Sequence, residues 1–188
     1  IVYFLLPFFW WFFTARKYES FLSWIGLKKV TPHKYFAVVI VLSAALTYLS
    51  PKYFVPLFTP EGLTTQSEYA LMGFSALQSI LLFWLWTGFS EEFFFRGFLL
   101  KRLSVKFGFI TAVNIHALVF SLPHVLPLLI MSTDLWFTAL MFFLISFLSA
   151  WLYGCISEKL SGGSIIPTIL LHGLGNIAIS LLHAFNLM

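Results

Sequence analysis

The chain has 188 residues, of which 60% are hydrophobic and 10% charged, and its formal net charge is +4. Soluble domains carry about 25% charged residues, so the composition excludes an ordinary water-soluble fold and predicts one membrane domain, residues 1–188, surrounded by the lipid bilayer. The basic residues are placed as membrane topology requires, so nucleic acid is not an expected partner.

Apolar runs along the chain predict an all-α, polytopic bundle of transmembrane helices, because a spanning helix needs about 20 mainly apolar residues. Six crossings are expected, at residues 1–15, 35–49, 69–86 with a continuation toward 101, 107–122, 135–156 and 164–183. The third run is too long for one untilted crossing, so we expect a break near Gly88 or a steep tilt. The chain begins at Ile1 inside an apolar run, so an upstream segment and a higher total are also expected.

The loops between these runs carry charge and helix-breaking residues. Nine basic residues follow the first, third and fifth crossings, and the positive-inside rule makes these loops cytoplasmic: Arg16, Lys17, Lys28, Lys29, Lys34, Lys101, Arg102, Lys106 and Lys159. Residues 51–66 contain three prolines and predict a non-helical loop. Residues 161–164 predict a second break, where Ser164 can cap the last helix and Pro167 falls in its first turn.

The most unusual polar residues are Glu91 and Glu92, which lie side by side in the third apolar run. A charged side chain at bilayer depth costs roughly 2.5 kcal/mol or more and usually belongs to a functional site. Glu92 and Arg96 are four residues apart, so on a helix they share a face and can form a structural ion pair. That pairing leaves Glu91 free to face elsewhere, which favours a functional role for it.

Two later runs contain further polar side chains. His124 ends the fourth crossing just after Pro123, and taken alone it is most simply a loop histidine. His172 and Asn176 are four residues apart in the last crossing and share a face. Gly173 and Gly175 lie between them and could let another helix approach closely. Interhelical hydrogen bonding is the simpler alternative for that pair.

Other polar residues have simpler explanations. His116 and Asn114 lie within the fourth crossing, where packing or hydrogen bonding is favoured, although His116 could border the same cavity as His124. His33 and His183 lie near the ends of crossings, where a polar tip can reach the interface. Cys155, the only cysteine, is interpreted as a small buried hydrophobic residue.

A carboxylate, two histidines and an asparagine in a wet cavity suit peptide hydrolysis. Glu91 can take a proton from water and His124 can help hold that water, while His172 and Asn176 can donate to an oxyanion. Glu91, His124 and His172 could alternatively hold zinc; we favour a site without a cofactor, because Asn176 fits the oxyanion role better than a zinc role. Asp134 is the only aspartate, which excludes a two-aspartate membrane protease.

These residues resemble the CAAX protease and bacteriocin-processing family, also called the Abi family. The family's Glu-Glu-x-x-x-Arg, Phe-x-x-x-His and His-x-x-x-Asn/Asp motifs occur in order as residues 91–96, 120–124 and 172–176. The matching part, residues 88–183, is the expected catalytic core. The resemblance implies a glutamate-dependent intramembrane endopeptidase of a bacterial-type plasma membrane, acting on a membrane-associated peptide or protein. By the same resemblance, Glu91 and His124 activate water, His172 and Asn176 form the oxyanion hole, and Glu92 and Arg96 are structural.

Two other functions are compatible with the sequence. A catalytically silent immunity or scaffold protein could keep the motifs without cleaving anything. A proton-coupled transporter could use an intramembrane glutamate and histidine as a relay, although no inverted repeat is visible in the sequence.

Overall fold

The computed structural model describes residues 1–49, 85–131 and 133–184, and the regular elements in these ranges are all helical. Seven helices are described: α1 (Val2–Thr14), α2 (Phe21–Ile25), α3 (Phe36–Leu49), α4 (85–107), α5 (Phe109–Met131), α6 (Trp136–Leu160) and α7 (Ile166–Ala184). The all-α expectation is therefore confirmed for this part of the chain. The predicted loop 51–66 and the first part of the third crossing, residues 69–84, lie outside the described residues.

Two of the described helices are long and apolar enough to cross a bilayer. These are Phe109–Ile130 in α5 and Trp136–Leu160 in α6, and they pack against each other along their length. Shorter apolar stretches occur in α1, α3 and α7, at Val2–Thr14, Phe36–Ala45 and Ile166–Ile177. The count of six crossings stays a prediction.

Helix α4 carries the two glutamates and differs from the sequence expectation. It is helical through Gly88, so the chain has no break at that glycine, and the alternative expectation of a steep tilt stays a prediction. The irregularity lies further along, where Glu92–Leu100 forms a π-helical segment between α-helical ends. Segments of π-helix are rare and occur frequently at functional sites. The wider turn starts at the second glutamate itself.

Helix α5 is longer than the sequence predicted. It continues through Pro123 and Pro127 to Met131 instead of ending at Leu122. Prolines are tolerated inside membrane helices because neighbouring groups satisfy the backbone atoms that they leave unpaired. His124 therefore lies within a helix, and its interpretation as a loop histidine is wrong.

The start of α7 is fixed by the segment that follows α2. The predicted break is confirmed: Gly162 and Gly163 adopt left-handed φ values of 65° and 80°. Ser164 Oγ then accepts a hydrogen bond from the Ile166 amide at 3.4 Å, and the same hydroxyl donates to the Lys28 carbonyl oxygen at 2.7 Å. These contacts hold α7, which carries His172, against the rest of the bundle.

A small apolar core surrounds the middle of α4. Phe95 packs with Phe120 and Ala117 of α5 and with Ala150 of α6, and Tyr3 of α1 packs against the edge of this group. Phe95 and Phe120 meet edge to face with ring centroids 5.0 Å apart, a favourable aromatic geometry. Helices α1, α4, α5 and α6 therefore converge one turn away from the acidic pair.

Candidate active site

The centre of the site is the ion pair of Glu92 and Arg96, both of them on α4. Arg96 Nη1 lies 3.0 Å from Glu92 Oε1, and both side chains are 0% exposed. The Arg96 guanidinium also stacks over the Phe120 ring at 4.3 Å and lies 5.5 Å from the Tyr153 ring. A buried charge pair persists only when its geometry and additional contacts offset the loss of water. The aromatic rings of α5 and α6 supply such contacts.

Glu92 has a second partner that the sequence did not predict. His172 Nδ1 of α7 lies 2.9 Å from Glu92 Oε1, close enough for the imidazole to donate to the carboxylate. Thr168, one turn before His172, also lies beside this carboxylate and donates its hydroxyl proton to the Ile165 carbonyl oxygen at 3.0 Å. The hydrogen bond between His172 Nδ1 and Glu92 orients the imidazole ring so that its other nitrogen, Nε2, lies on the side of Glu91.

The remaining nitrogen of His172 faces Glu91. His172 Nε2 lies 3.9 Å from Glu91 Oε2, and the two side chains are 16% and 19% exposed. Glu91 Oε2 itself is buried and has no hydrogen-bond partner among the described residues. The distance of 3.9 Å between these two atoms is too long for a direct hydrogen bond. Polar groups at such a distance can be bridged by a water molecule. Glu91 is thus the partly accessible carboxylate, and Glu92 is the enclosed one.

The second motif contributes His124 from α5. His124 Nδ1 lies 2.9 Å from the Phe120 carbonyl oxygen, and because a carbonyl oxygen can only accept, Nδ1 carries the proton. The Nε2 atom of a neutral His124 therefore carries a lone pair that can accept a hydrogen bond. The Phe120 ring lies near both histidines, with its centroid 4.8 Å from that of His124 and 6.4 Å from that of His172.

The other candidate residues take different positions. Asn176 lies on α7 one turn beyond His172. His116 of α5 is 0% exposed, and its ring centroid lies 6.3 Å from that of Phe95 and 6.4 Å from that of Phe120. Asn114 donates to the Ile110 carbonyl oxygen at 2.8 Å and is exposed. The side chains beyond residue 177, that of His183 included, are outside the description.

The absence of a side chain at Gly88 allows α4 to approach α7 closely. A Cβ on Gly88 would lie 2.9 Å from the Gly173 backbone nitrogen, so any side chain there would require the backbone to shift. The sequence expectation named Gly173 and Gly175 of α7; the structure shows α4 as the neighbour, but a Cβ on Gly173 itself would make only ordinary contacts with Leu85, at 3.5 Å and 3.9 Å, so the glycine that the approach requires is Gly88. This approach brings Glu91 and Glu92 to His172.

Substituting Gly88 with alanine should separate the two helices. The new methyl group would meet backbone atoms of Gly173, and overpacking a close contact typically costs about 1–3 kcal/mol. We expect a lower thermal unfolding midpoint for the variant. Gly108→Ala is the control for an added methyl group, because nothing lies within 4 Å of a Cβ there, although its positive φ adds local strain. An unchanged unfolding midpoint in Gly88→Ala would contradict the close approach.

Comparison with protein families adds an independent observation. The family model described as type II CAAX prenyl endopeptidase, Rce1-like, matches residues 73–178, which is more than half of the chain. The chain belongs to this family. The Rce1-like proteins are membrane-embedded proteases, so the matched segment, which contains all three motifs, is part of a peptide hydrolase family. Comparison with curated proteins and with solved structures gives no significant match.

The sequence leaves zinc binding by Glu91, His124 and His172 as the alternative to a site without a cofactor. Within residues 1–49, 85–131 and 133–184, no three His, Cys, Asp or Glu side chains are grouped so that they could hold a metal ion. Both histidines have Nδ1 engaged, by Glu92 and by the Phe120 carbonyl oxygen, so any metal ion would have to bind at Nε2. We therefore derive no chemical step through a metal.

Proposed function

We propose that the chain is an intramembrane endopeptidase that hydrolyses a peptide bond of a membrane-associated protein or peptide, with Glu91 activating the attacking water. The main support for this proposal is the difference in environment between the two neighbouring glutamates. Glu92 is enclosed by Arg96 and His172, at 3.0 Å and 2.9 Å, whereas Glu91 is partly accessible and faces His172 across 3.9 Å. Family membership supports the same reaction class.

The reaction begins with proton removal from water. Glu91 takes the proton as the oxygen of water attacks the carbonyl carbon of the substrate, and general base catalysis of this kind contributes roughly 10²–10⁴ in rate. His124 assists by accepting a hydrogen bond from the same water at Nε2, since its Nδ1 proton is held by Phe120. The proton on Glu91 then passes to the nitrogen of the leaving amine as the C–N bond breaks.

The negative oxygen formed during the attack needs hydrogen-bond donors. Asn176 supplies its side-chain amide, and His172 supplies Nε2–H when its ring is protonated. The two ring nitrogens of His172 lie near different carboxylates, Nδ1 at 2.9 Å from Glu92 Oε1 and Nε2 at 3.9 Å from Glu91 Oε2. Donors of this type are each worth about 10²–10³ in kcat.

The membrane setting of the proposal keeps the topology expected from the sequence. The chain is a multi-pass protein of about six crossings with its Lys- and Arg-rich loops in the cytoplasm, and residues 88–183 form the catalytic core. The bilayer delivers the substrate, because a lipid-attached peptide is already concentrated at the depth of the site. No nucleic acid takes part.

Cleavage by the purified chain tests the proposal. The full chain, reconstituted in proteoliposomes, is incubated with a fluorogenic peptide that has a prenylated CAAX end, and the products are read by fluorescence and mass spectrometry. Hydrolysis of one peptide bond is the expected result. Absence of cleavage of this peptide and of an unprenylated peptide of the same sequence would contradict it and favour a silent scaffold, whereas Glu91-dependent proton flux in the same liposomes would favour a transporter.

Metal removal provides a separate prediction. Because the proposed water activation uses carboxylate and imidazole groups alone, treatment with excess EDTA followed by gel filtration should leave cleavage within about twofold of the untreated enzyme. Elemental analysis of the same sample should find zinc well below one atom per chain. Loss of activity on chelation, with recovery on adding back zinc but not magnesium, would overturn the metal-free mechanism.

A further inference from the structure

A cluster of basic side chains lies at one end of the two helices that are long enough to cross the bilayer. The apolar span of α5 begins at Phe109, and that of α6 ends at Leu160. Lys101 of α4 pairs with Glu158, in the last turn of α6, at 2.6 Å and donates to the Gly163 carbonyl oxygen at 2.8 Å. Charged side chains at the end of a membrane helix reach the polar interface, so this cluster lies at the bilayer surface.

Lys28, from the segment that follows α2, brings a second ammonium group to the same place. An added Cβ on Gly163 would lie 3.2 Å from Lys28 Nζ and 3.3 Å from Lys101 Nζ, so the two ammonium groups are close neighbours. Glu158 pairs with Lys101, and Lys28 makes no ion pair within residues 1–49, 85–131 and 133–184. Because like charges repel each other, this arrangement favours the binding of a further anion.

Arg102 extends the basic surface along α4. Its guanidinium stacks over the Trp24 ring at 3.9 Å, and its Nε atom is buried with no hydrogen-bond partner among the described residues. The ring holds the guanidinium in place but accepts none of its in-plane N–H groups. The charges of Glu19 and Glu158 act on Arg102, yet neither forms an ion pair with it in the described structure. The surface therefore keeps an excess of positive charge.

Exposed apolar side chains border this basic surface. Val105 is 86% exposed and lies three residues after Arg102, so the two side chains share a face of α4. Leu22, two residues before Trp24 on α2, is 58% exposed. Apolar side chains beside cations match a phospholipid, which presents acyl chains next to a phosphate. A free phosphate ion would gain nothing from them.

We propose that Lys28, Lys101 and Arg102 form a binding site for the headgroup phosphate of an anionic phospholipid. Lys28 and Arg102 donate to the phosphate oxygens, because their N–H groups are not used in ion pairs, and such charge-assisted hydrogen bonds are strong. Lys101 stays paired with Glu158 and adds its charge. The site joins three separate segments of the chain, so a bound lipid stabilises the folded state. This role is independent of peptide cleavage.

Thermal unfolding of the full chain with added lipid tests the site. The purified chain in a neutral detergent is heated with phosphatidylglycerol, phosphatidylcholine or inorganic phosphate at equal concentrations, and unfolding is followed by tryptophan fluorescence. We expect phosphatidylglycerol to raise the unfolding midpoint by roughly 5 °C and the other two to leave it unchanged. An equal rise with phosphatidylcholine would assign the effect to acyl chains, and an equal rise with inorganic phosphate to a free anion; either result would overturn the proposal.

Two charge-matched double variants separate this site from the general attraction between a basic protein and anionic lipid. Lys28→Gln with Arg102→Gln removes the proposed donors. Lys34→Gln with Arg16→Gln also removes one lysine and one arginine, both of them exposed and stacked over a neighbouring aromatic ring. The first variant should lose most of the rise caused by phosphatidylglycerol, and the second should keep it. Equal rises in the two variants would contradict a specific site.

A single variant keeps the test decisive if the first double variant does not fold. Lys28→Gln leaves Arg102 on the Trp24 ring and Lys101 paired with Glu158, so the packing around the cluster is preserved. It should show a smaller rise with phosphatidylglycerol than Lys34→Gln does. Equal rises in these two single variants would remove Lys28 from the site and overturn the proposal.

Discussion

Replacing Glu91 with glutamine should lower kcat for peptide cleavage roughly 10²–10⁴-fold while the chain remains folded. The amide cannot accept the proton of water as a carboxylate does, and loss of a general base costs roughly 10²–10⁴ in rate. Glutamine has nearly the same size, so the surrounding helices need not move. The measurement is single-turnover cleavage of the prenylated peptide in proteoliposomes.

Folding is expected to survive because Glu91 is not part of the buried ion pair. Its Oε2 atom is buried without a hydrogen-bond partner among the described residues, and its nearest described ion-pair contact is His172 at 3.9 Å. Exchanging a costly buried carboxylate for a neutral amide therefore leaves stability unchanged or slightly higher. The unfolding midpoint, read by tryptophan fluorescence, checks this.

A matched Glu→Gln exchange controls for the general effect of losing a negative charge. Glu19 accepts a hydrogen bond from the Ser23 hydroxyl on the exposed surface, far along the chain from the motifs. Glu19→Gln should retain full cleavage. If Glu91→Gln cleaves as fast as Glu19→Gln, Glu91 is not the base and the mechanism is wrong.

The sequence predicts the helical class and the spacing of the site residues, because both follow from local periodicity. Glu92 and Arg96 are one turn apart on any helix, and the glycine of α7 next to His172 indicates a close neighbour. The sequence could not identify that neighbour, since the approach of Gly88 to Gly173 depends on tertiary packing. Proline also misled the prediction: Pro123 suggested an end to α5, but the packed bundle supports the helix through it to Met131.

The link from Glu92 to His172 was missed for a related reason. The sequence pairs Glu92 with Arg96 and leaves no reason to look for another partner 80 residues away, yet one carboxylate oxygen contacts both. Thr168 carried a usable signal, because it lies four residues before His172 and shares its face of α7. Tyr153, which lies beside Arg96 and His172, carried no such signal, because aromatic residues are common along this chain.

Replacing Arg96 with methionine should destabilise the fold strongly and abolish cleavage. The exchange removes the cation 3.0 Å from Glu92 and leaves a carboxylate buried in an apolar environment. Removing one member of a buried pair costs about 3–5 kcal/mol, because the remaining charge is uncompensated. The unfolding midpoint in proteoliposomes should fall sharply, and Arg16→Met, which removes an arginine stacked over Phe12 at 4.1 Å on the exposed surface, should change it little.

A double variant separates stability from catalysis. Glu92→Leu with Arg96→Met removes both charges, and replacing a buried ion pair with apolar residues is often neutral or stabilising. The unfolding midpoint should therefore recover relative to Arg96→Met alone. Cleavage should stay absent, because His172 Nδ1 loses the acceptor 2.9 Å away that orients its ring toward Glu91. If the double variant regains activity along with stability, Glu92 acts only as a counter-charge to Arg96, and the orientation of His172 has another source.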